Sequence, residues 1–118
     1  MTTPEAKAKA KVRAILSKYP SMYTYWPVPS GFGRTTIDVI GCYRGRFFGV
    51  EVKGEGKKPT LRQTQELTSM AKAMGKTFVV IGPSDPVLDD LKQWLDELTE
   101  TIPNDPDLPP DTVRRRRI

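Results

Sequence analysis

Two largely apolar runs, residues 37–43 and 46–53, flank Arg44-Gly45. A two-residue connection ending in Gly between such runs specifies a β-hairpin. Its register then follows by counting. Tyr43 opposes Arg46, Cys42 opposes Phe47, and Asp38 falls opposite Glu51 on a face that also carries Lys53. The other face of the hairpin, Ile37, Val39, Phe48, Val50 and Val52, is wholly apolar. This alternation predicts a buried strand from which Glu51 and Lys53 project into a site.

Carboxylates on directly opposed positions, with Cβ atoms about 5 Å apart, repel unless a proton or cation lies between them. A hard divalent ion resolves that conflict. Oxygen donors without His or Cys favour Mg²⁺ or Mn²⁺, which take one or two carboxylates and leave their other positions to water and phosphate. The alternative is an edge hairpin whose Asp38, Glu51 and Lys53 are simply solvated.

A chain of 118 residues suits one domain with a single core, here expected over residues 1–100. It contains no His, so Ser-His-Asp and Cys-His catalysis and His-ligated zinc are unavailable within it. The single Cys42 cannot form an intrachain disulfide and is expected to pack in the core of a protein in a reducing, intracellular setting. No apolar run approaches the ~20 residues of a membrane span, and the charged N-terminal segment lacks a signal-peptide core, so a soluble protein with no membrane partner is expected. The net charge of +5 suits a polyanionic partner.

Thr3-Pro4 reads as a helix start, and Glu5, Ala8, Val12, Ile15, Leu16 and Tyr19 form one stripe of the helix that follows. Glu5 lies in line with that buried face, while Lys7, Lys9, Lys11, Arg13 and Lys18 spread over the rest as a solvated or phosphate-contacting surface. Residues 22–28 predict a short strand, whose Tyr23, Tyr25 and Trp26 read as core and interface aromatics. The Gly-rich segment at 29–36 lacks the Lys-Ser/Thr ending of a phosphate loop, so no nucleotide cofactor is expected. Phe32 and Arg34 within it either stack on a base and hold a phosphate, or only shape the loop.

Beyond the hairpin, residues 54–59 form a mobile basic connection that sets Lys57 and Lys58 beside the site as candidate DNA contacts. Thr60-Leu-Arg-Gln63 reads as a capping box. Gln63, Leu67, Met70, Ala71 and Met74 share a helical stripe that stops at Gly75, with Gln65 pointing elsewhere. Residues 77–81 are fully apolar and read as a buried strand, parallel to 46–53 because a helix connects them. A last helix carries Val87, Leu88, Leu91, Trp94, Leu95 and Leu98 on one side, to cover the sheet or a second subunit. Residues 101–118 are Pro- and Asp-rich, without periodicity, and read as a disordered tail. Its Arg114, Arg115, Arg116 and Arg117 suit backbone phosphate, or solubility alone.

The pattern Gly33-x4-Asp38-x2-Gly41-Cys42-x2-Gly45-x-Phe47-x2-Val50-Glu51-Val52-Lys53, followed by Gly56-Lys57-Lys58-Pro59-Thr60-x2-Gln63, resembles the virus-type replication-repair nuclease domain of the PD-(D/E)xK superfamily over residues 4–82. One departure is Ile37, where members often carry Pro. The resemblance implies an α/β fold with a helix, three strands, helix, strand core, a central mixed sheet between helices, and an added C-terminal helix. It implies Mg²⁺ or Mn²⁺ held by Asp38, Glu51, the Val52 carbonyl and Glu5 from the first helix. Lys53 is implied as the residue that orients or deprotonates water, and Gln63, with Gln65 as runner-up, as the helix glutamine supporting the Glu-x-Lys strand. Stand-alone members are phage- or virus-type homodimeric endonucleases acting on branched DNA such as four-way junctions, which implies the host cytoplasm as the setting. Fused members process flaps. A non-catalytic basic DNA-binding module, or a nuclease acting on linear duplex, are the other functions the residues allow.

Overall fold

The computed structural model describes residues 2–28 and 37–103. Helix α1 (Pro4–Leu16) begins where the Thr3 hydroxyl accepts the Ala6 amide and Pro4 occupies the first turn, in which a missing N–H costs no helical bond. Strand β1 (Tyr23–Tyr25) is short and stops before Pro27. Strands β2 (Val39–Tyr43) and β3 (Arg46–Lys53) form the hairpin. Arg44 and Gly45 both have positive φ, 52° and 79°, the combination that matches a two-residue turn to the twist of its strands. Helix α2 (Leu61–Lys72), strand β4 (Lys76–Ile81) and helix α3 (Val87–Thr101) follow.

The four strands form one mixed sheet in the order β1-β2-β3-β4. β1 and β3 run antiparallel to β2, and β4 lies parallel to β3 after the α2 crossover. Helices α1 and α3 cover one face. Ala8, Val12, Leu91 and Leu95 pack there on Val39, Phe48, Val50, Val52 and Val80. Trp94 meets Phe48 edge-on at 5.8 Å between ring centroids and Phe78 at 5.7 Å, so this stripe covers the protein's own sheet. Helix α2 sits on the other face, where Leu67 and Met70 close over Ile37 with Val79 against them. The hairpin register is the one obtained by counting from the turn, with Tyr43 opposite Arg46 and Val39 opposite Val50.

Several expectations change in three dimensions. Ile37 joins Leu67 and Met70 under α2 instead of sharing the face of Val39 and Val50. The ladder ends at Val39, and the bend at Asp38 breaks the alternation that would have carried Ile37 to the α1 side. Tyr23 and Tyr25 are exposed, because α2 packs on β3 and β4 and leaves the β1 end of that face open, whereas Trp26 packs against the core. Cys42 is only half-buried on the same open part. β4 is an edge strand that buries Phe78 and Val80 and leaves the alternate positions half-exposed, so it is not a fully enclosed strand. Ala71 and Met74 face solvent.

The end of α2 explains that last point. Met74 takes the left-handed conformation at φ 72°, its amide bonding Ala71 O and the Gly75 amide bonding Met70 O, which closes the helix one residue before the glycine. Gly75 is needed for space instead. A Cβ there would lie 2.7 Å from the Phe47 ring.

Candidate functional site

At the open end of the hairpin β2 stops at Val39, opposite Val50, while β3 runs on through Lys53, and side-chain chemistry fills the place of the missing ladder. Asp38 Oδ2 accepts the Val52 amide at 2.7 Å, and the Asp38 amide donates to Glu51 Oε1 at 3.1 Å. The two acids are thus locked to each other's strand through main-chain amides. Each has a lysine on its remaining oxygen: Lys9 Nζ lies 3.2 Å from Asp38 Oδ1, and Lys53 Nζ lies 3.3 Å from Glu51 Oε2.

Glu51 is buried at 1 % exposure. Burial and then the neighbouring Asp38 charge push its carboxyl up to about 7, against the opposing pull of Lys53 and the Asp38 amide. Burial by itself lowers the Lys9 ammonium, but Asp38 and Glu5 together raise it above the ordinary lysine value. Burial, more than the neighbouring charge, is what disfavours the Glu51 carboxylate here.

Glu5 does not reach the two acids directly. It sits half-exposed one turn before Lys9, 3.6 Å from its ammonium, and so is linked to Asp38 through that lysine. Lys9 was legible only as one basic residue among several on α1. Its spacing of four from Glu5 marked a pair on one helix face, and the docking of α1 against β3 is what carries that pair to Asp38. Other basic residues of α1 have structural partners: Lys11 Nζ donates to Pro83 O, and the Arg13 guanidinium stacks 3.8 Å over Trp26.

Gln63 is buried and Gln65 exposed. The Gln63 side-chain oxygen accepts from the Thr60 amide while Thr60 Oγ1 accepts from Gln63 N, which completes the capping box. Lys57 and Lys58 are exposed on the turn after β3, closed by Lys57 N donating to Gly54 O. Phe32, Arg34 and Arg114 to Arg117 lie outside the described residues.

The donors fit a small hard cation. An ionised carboxylate offers about four lone-pair sites, and among the described residues each of these oxygens meets one partner, so acceptor capacity remains on both acids. The Val52 amide points at Asp38, and within a strand the carbonyl of a residue lies on the same side as its amide, so Val52 O faces the same space. Two carboxylates and one carbonyl are an all-oxygen set of the kind Mg²⁺ and Mn²⁺ take, with water and phosphate completing the shell. Among the described residues no three Asp, Glu, His or Cys side chains gather to enclose an ion without such outside ligands.

The chain is an α/β protein with paired acids and lysines at the open end of its mixed sheet. Compared with known proteins, it matches no family model, no curated protein and no solved structure. No helix among the described residues is long and apolar enough to cross a membrane.

Proposed function

We propose that this chain is a metal-dependent endodeoxyribonuclease of the PD-(D/E)xK type, similar to the virus-type replication-repair nucleases. The observation that carries the reading is the mutual locking of Asp38 and Glu51 through main-chain amides, with Lys53 paired to Glu51. It accounts for each residue of the Asp, Glu-x-Lys pattern by position and not by spacing alone.

Asp38, Glu51 and the Val52 carbonyl would hold Mg²⁺ or Mn²⁺, with Glu5 reaching it through water. When bound, such an ion lowers the pKa of water and neutralises charge that builds on the scissile phosphate. Lys53, on the same face two residues beyond Glu51, orients that water and contributes a positive charge next to the phosphate. Gln63 anchors the start of α2 below the sheet. Lys57 and Lys58, exposed beyond the end of β3, would meet the DNA backbone, with Phe32, Arg34 and the terminal arginines as further contacts.

Branched DNA such as a four-way junction is the proposed substrate, cut by a homodimer, since two symmetric incisions need two sites related by a two-fold axis. An intracellular setting is proposed with it. A second reading, a non-catalytic basic DNA-binding module, draws on the fact that each acid already has a lysine partner and is thereby accounted for structurally.

The test is incubation of the protein with labelled linear, flap and four-way-junction DNA in Mg²⁺, Mn²⁺ or EDTA, beside Lys53→Ala. Cleavage that disappears in EDTA and in the variant supports the nuclease and ranks its substrates. Binding without cleavage by both proteins, in either metal, supports the module.

A further inference from the structure

The two lysines of the site are not equivalent. Lys53 belongs to the strand that carries Glu51, and its side chain is 17 % exposed. Lys9 reaches Asp38 from a separate helix on a flexible four-carbon stem, and its side chain is 37 % exposed. Its ammonium lies 3.6 Å from Glu5 Oε2 and 3.2 Å from Asp38 Oδ1 and, among the described residues, is the one cation in ion-pair contact with either oxygen. The other Asp38 oxygen is held by the Val52 amide. A cation approaching Asp38 therefore meets Oδ1 as the oxygen outside that main-chain bond, and Lys9 is already on it.

A small divalent ion takes a carboxylate oxygen at about 2.1 Å. An ammonium 3.2 Å from the same oxygen cannot keep its position beside such an ion, on grounds of both volume and like charge. Helix α1 need not move for the exchange. The lysine stem has rotamers that carry the ammonium toward solvent, and the half-exposed side chain has room to adopt them.

We infer that Lys9 is an exchangeable internal cation that holds Glu5 and Asp38 together in the metal-free protein and competes directly with the divalent ion for Asp38. The inference rests on the metal-nuclease reading and deepens it, since it assigns to this lysine the control of metal loading. Metal binding in the absence of DNA is then weaker than the acids alone would give. It strengthens when a nearby phosphate accepts the displaced ammonium, so that metal and DNA favour each other's binding.

The experiment is a titration of the DNA-free protein with Mn²⁺, followed by the loss of the free-ion electron paramagnetic resonance signal, for the full chain and for Lys9→Met, Lys9→Arg and Asp38→Asn. Circular dichroism melts establish that each variant is folded. The expected result is Mn²⁺ binding at least about fivefold tighter in Lys9→Met, close to the parent in Lys9→Arg, and lost in Asp38→Asn. Equal or weaker binding by Lys9→Met, with binding still dependent on Asp38, overturns the competitor role and leaves the metal reading intact. If neither the parent nor Lys9→Met binds Mn²⁺ in an Asp38-dependent way, the metal reading fails and the role of Lys9 falls with it.

Discussion

Asp38 Oδ2 receives the Val52 amide at 2.7 Å, so a side chain supplies a cross-strand bond beyond Val39, where the β2–β3 ladder has already ended. The first predicted consequence is a separation of structure from chemistry at this position. Asn retains an oxygen for the Val52 amide, whereas Ala leaves that part-buried donor unpaired at a cost of about 1–3 kcal/mol. Asp38→Asn is expected to unfold in urea close to the parent, and Asp38→Ala to unfold earlier. Both should lose cleavage.

Glu51 gives a pH dependence with a definite sign. Its carboxyl is raised from 4.5 to about 7 by burial and by Asp38, so the folded state binds more protons than the unfolded state between those values. Stability therefore falls as pH rises through that window, and the loss is complete above about 7. Thermal melts from pH 4 to 8 should show this slope in the parent and a flatter one in Glu51→Gln. Mg²⁺, by stabilising the carboxylate, should raise the parent's Tm more at pH 8 than at pH 5.

The capping box makes Gln63 a structural residue whatever else it does. Gln63→Ala removes the bond from the Thr60 amide and is expected to cost about 1 kcal/mol, while Gln65→Ala on the exposed face should stay within about 0.5 kcal/mol of the parent. Denaturant midpoints distinguish the two. A fall in cleavage by Gln63→Ala that exceeds its fall in folded population would add a role at the site.

Met74 is 92 % exposed and sits in the left-handed region at φ 72°, a conformation that glycine adopts without strain. Met74→Gly is expected to stabilise the protein by about 0.5–1 kcal/mol. Met74→Val should do the reverse. Differential scanning calorimetry of the three proteins measures both.

Leu91 and Leu95 are fully buried between α3 and the sheet. Truncating either to Ala is expected to cost about 2–5 kcal/mol, read as a shift in urea midpoint with little change in slope.

Much of this architecture was legible along the chain because it depends on near neighbours. The Arg44-Gly45 turn sets the hairpin register by counting, Thr60 and Gln63 announce their own cap, and a strand, helix, strand run of short connections makes β3 and β4 parallel. That same counting brought Asp38 level with Glu51. What it could not supply was the bend at Asp38, which turns Ile37 under α2 and aims the Asp38 carboxylate at the Val52 amide. Nor could periodicity show that α2 covers only part of its face of the sheet and leaves Tyr23 and Tyr25 in solvent. Lys9 is the sharpest case. The sequence by itself determined that Lys9 lies one helical turn from Glu5, since that spacing is a property of any α-helix. Only the tertiary structure decided that this turn of α1 packs where β2 ends, because a contact between residues 9 and 38 is set by how helix and sheet bury their apolar faces together, and no local pattern encodes it.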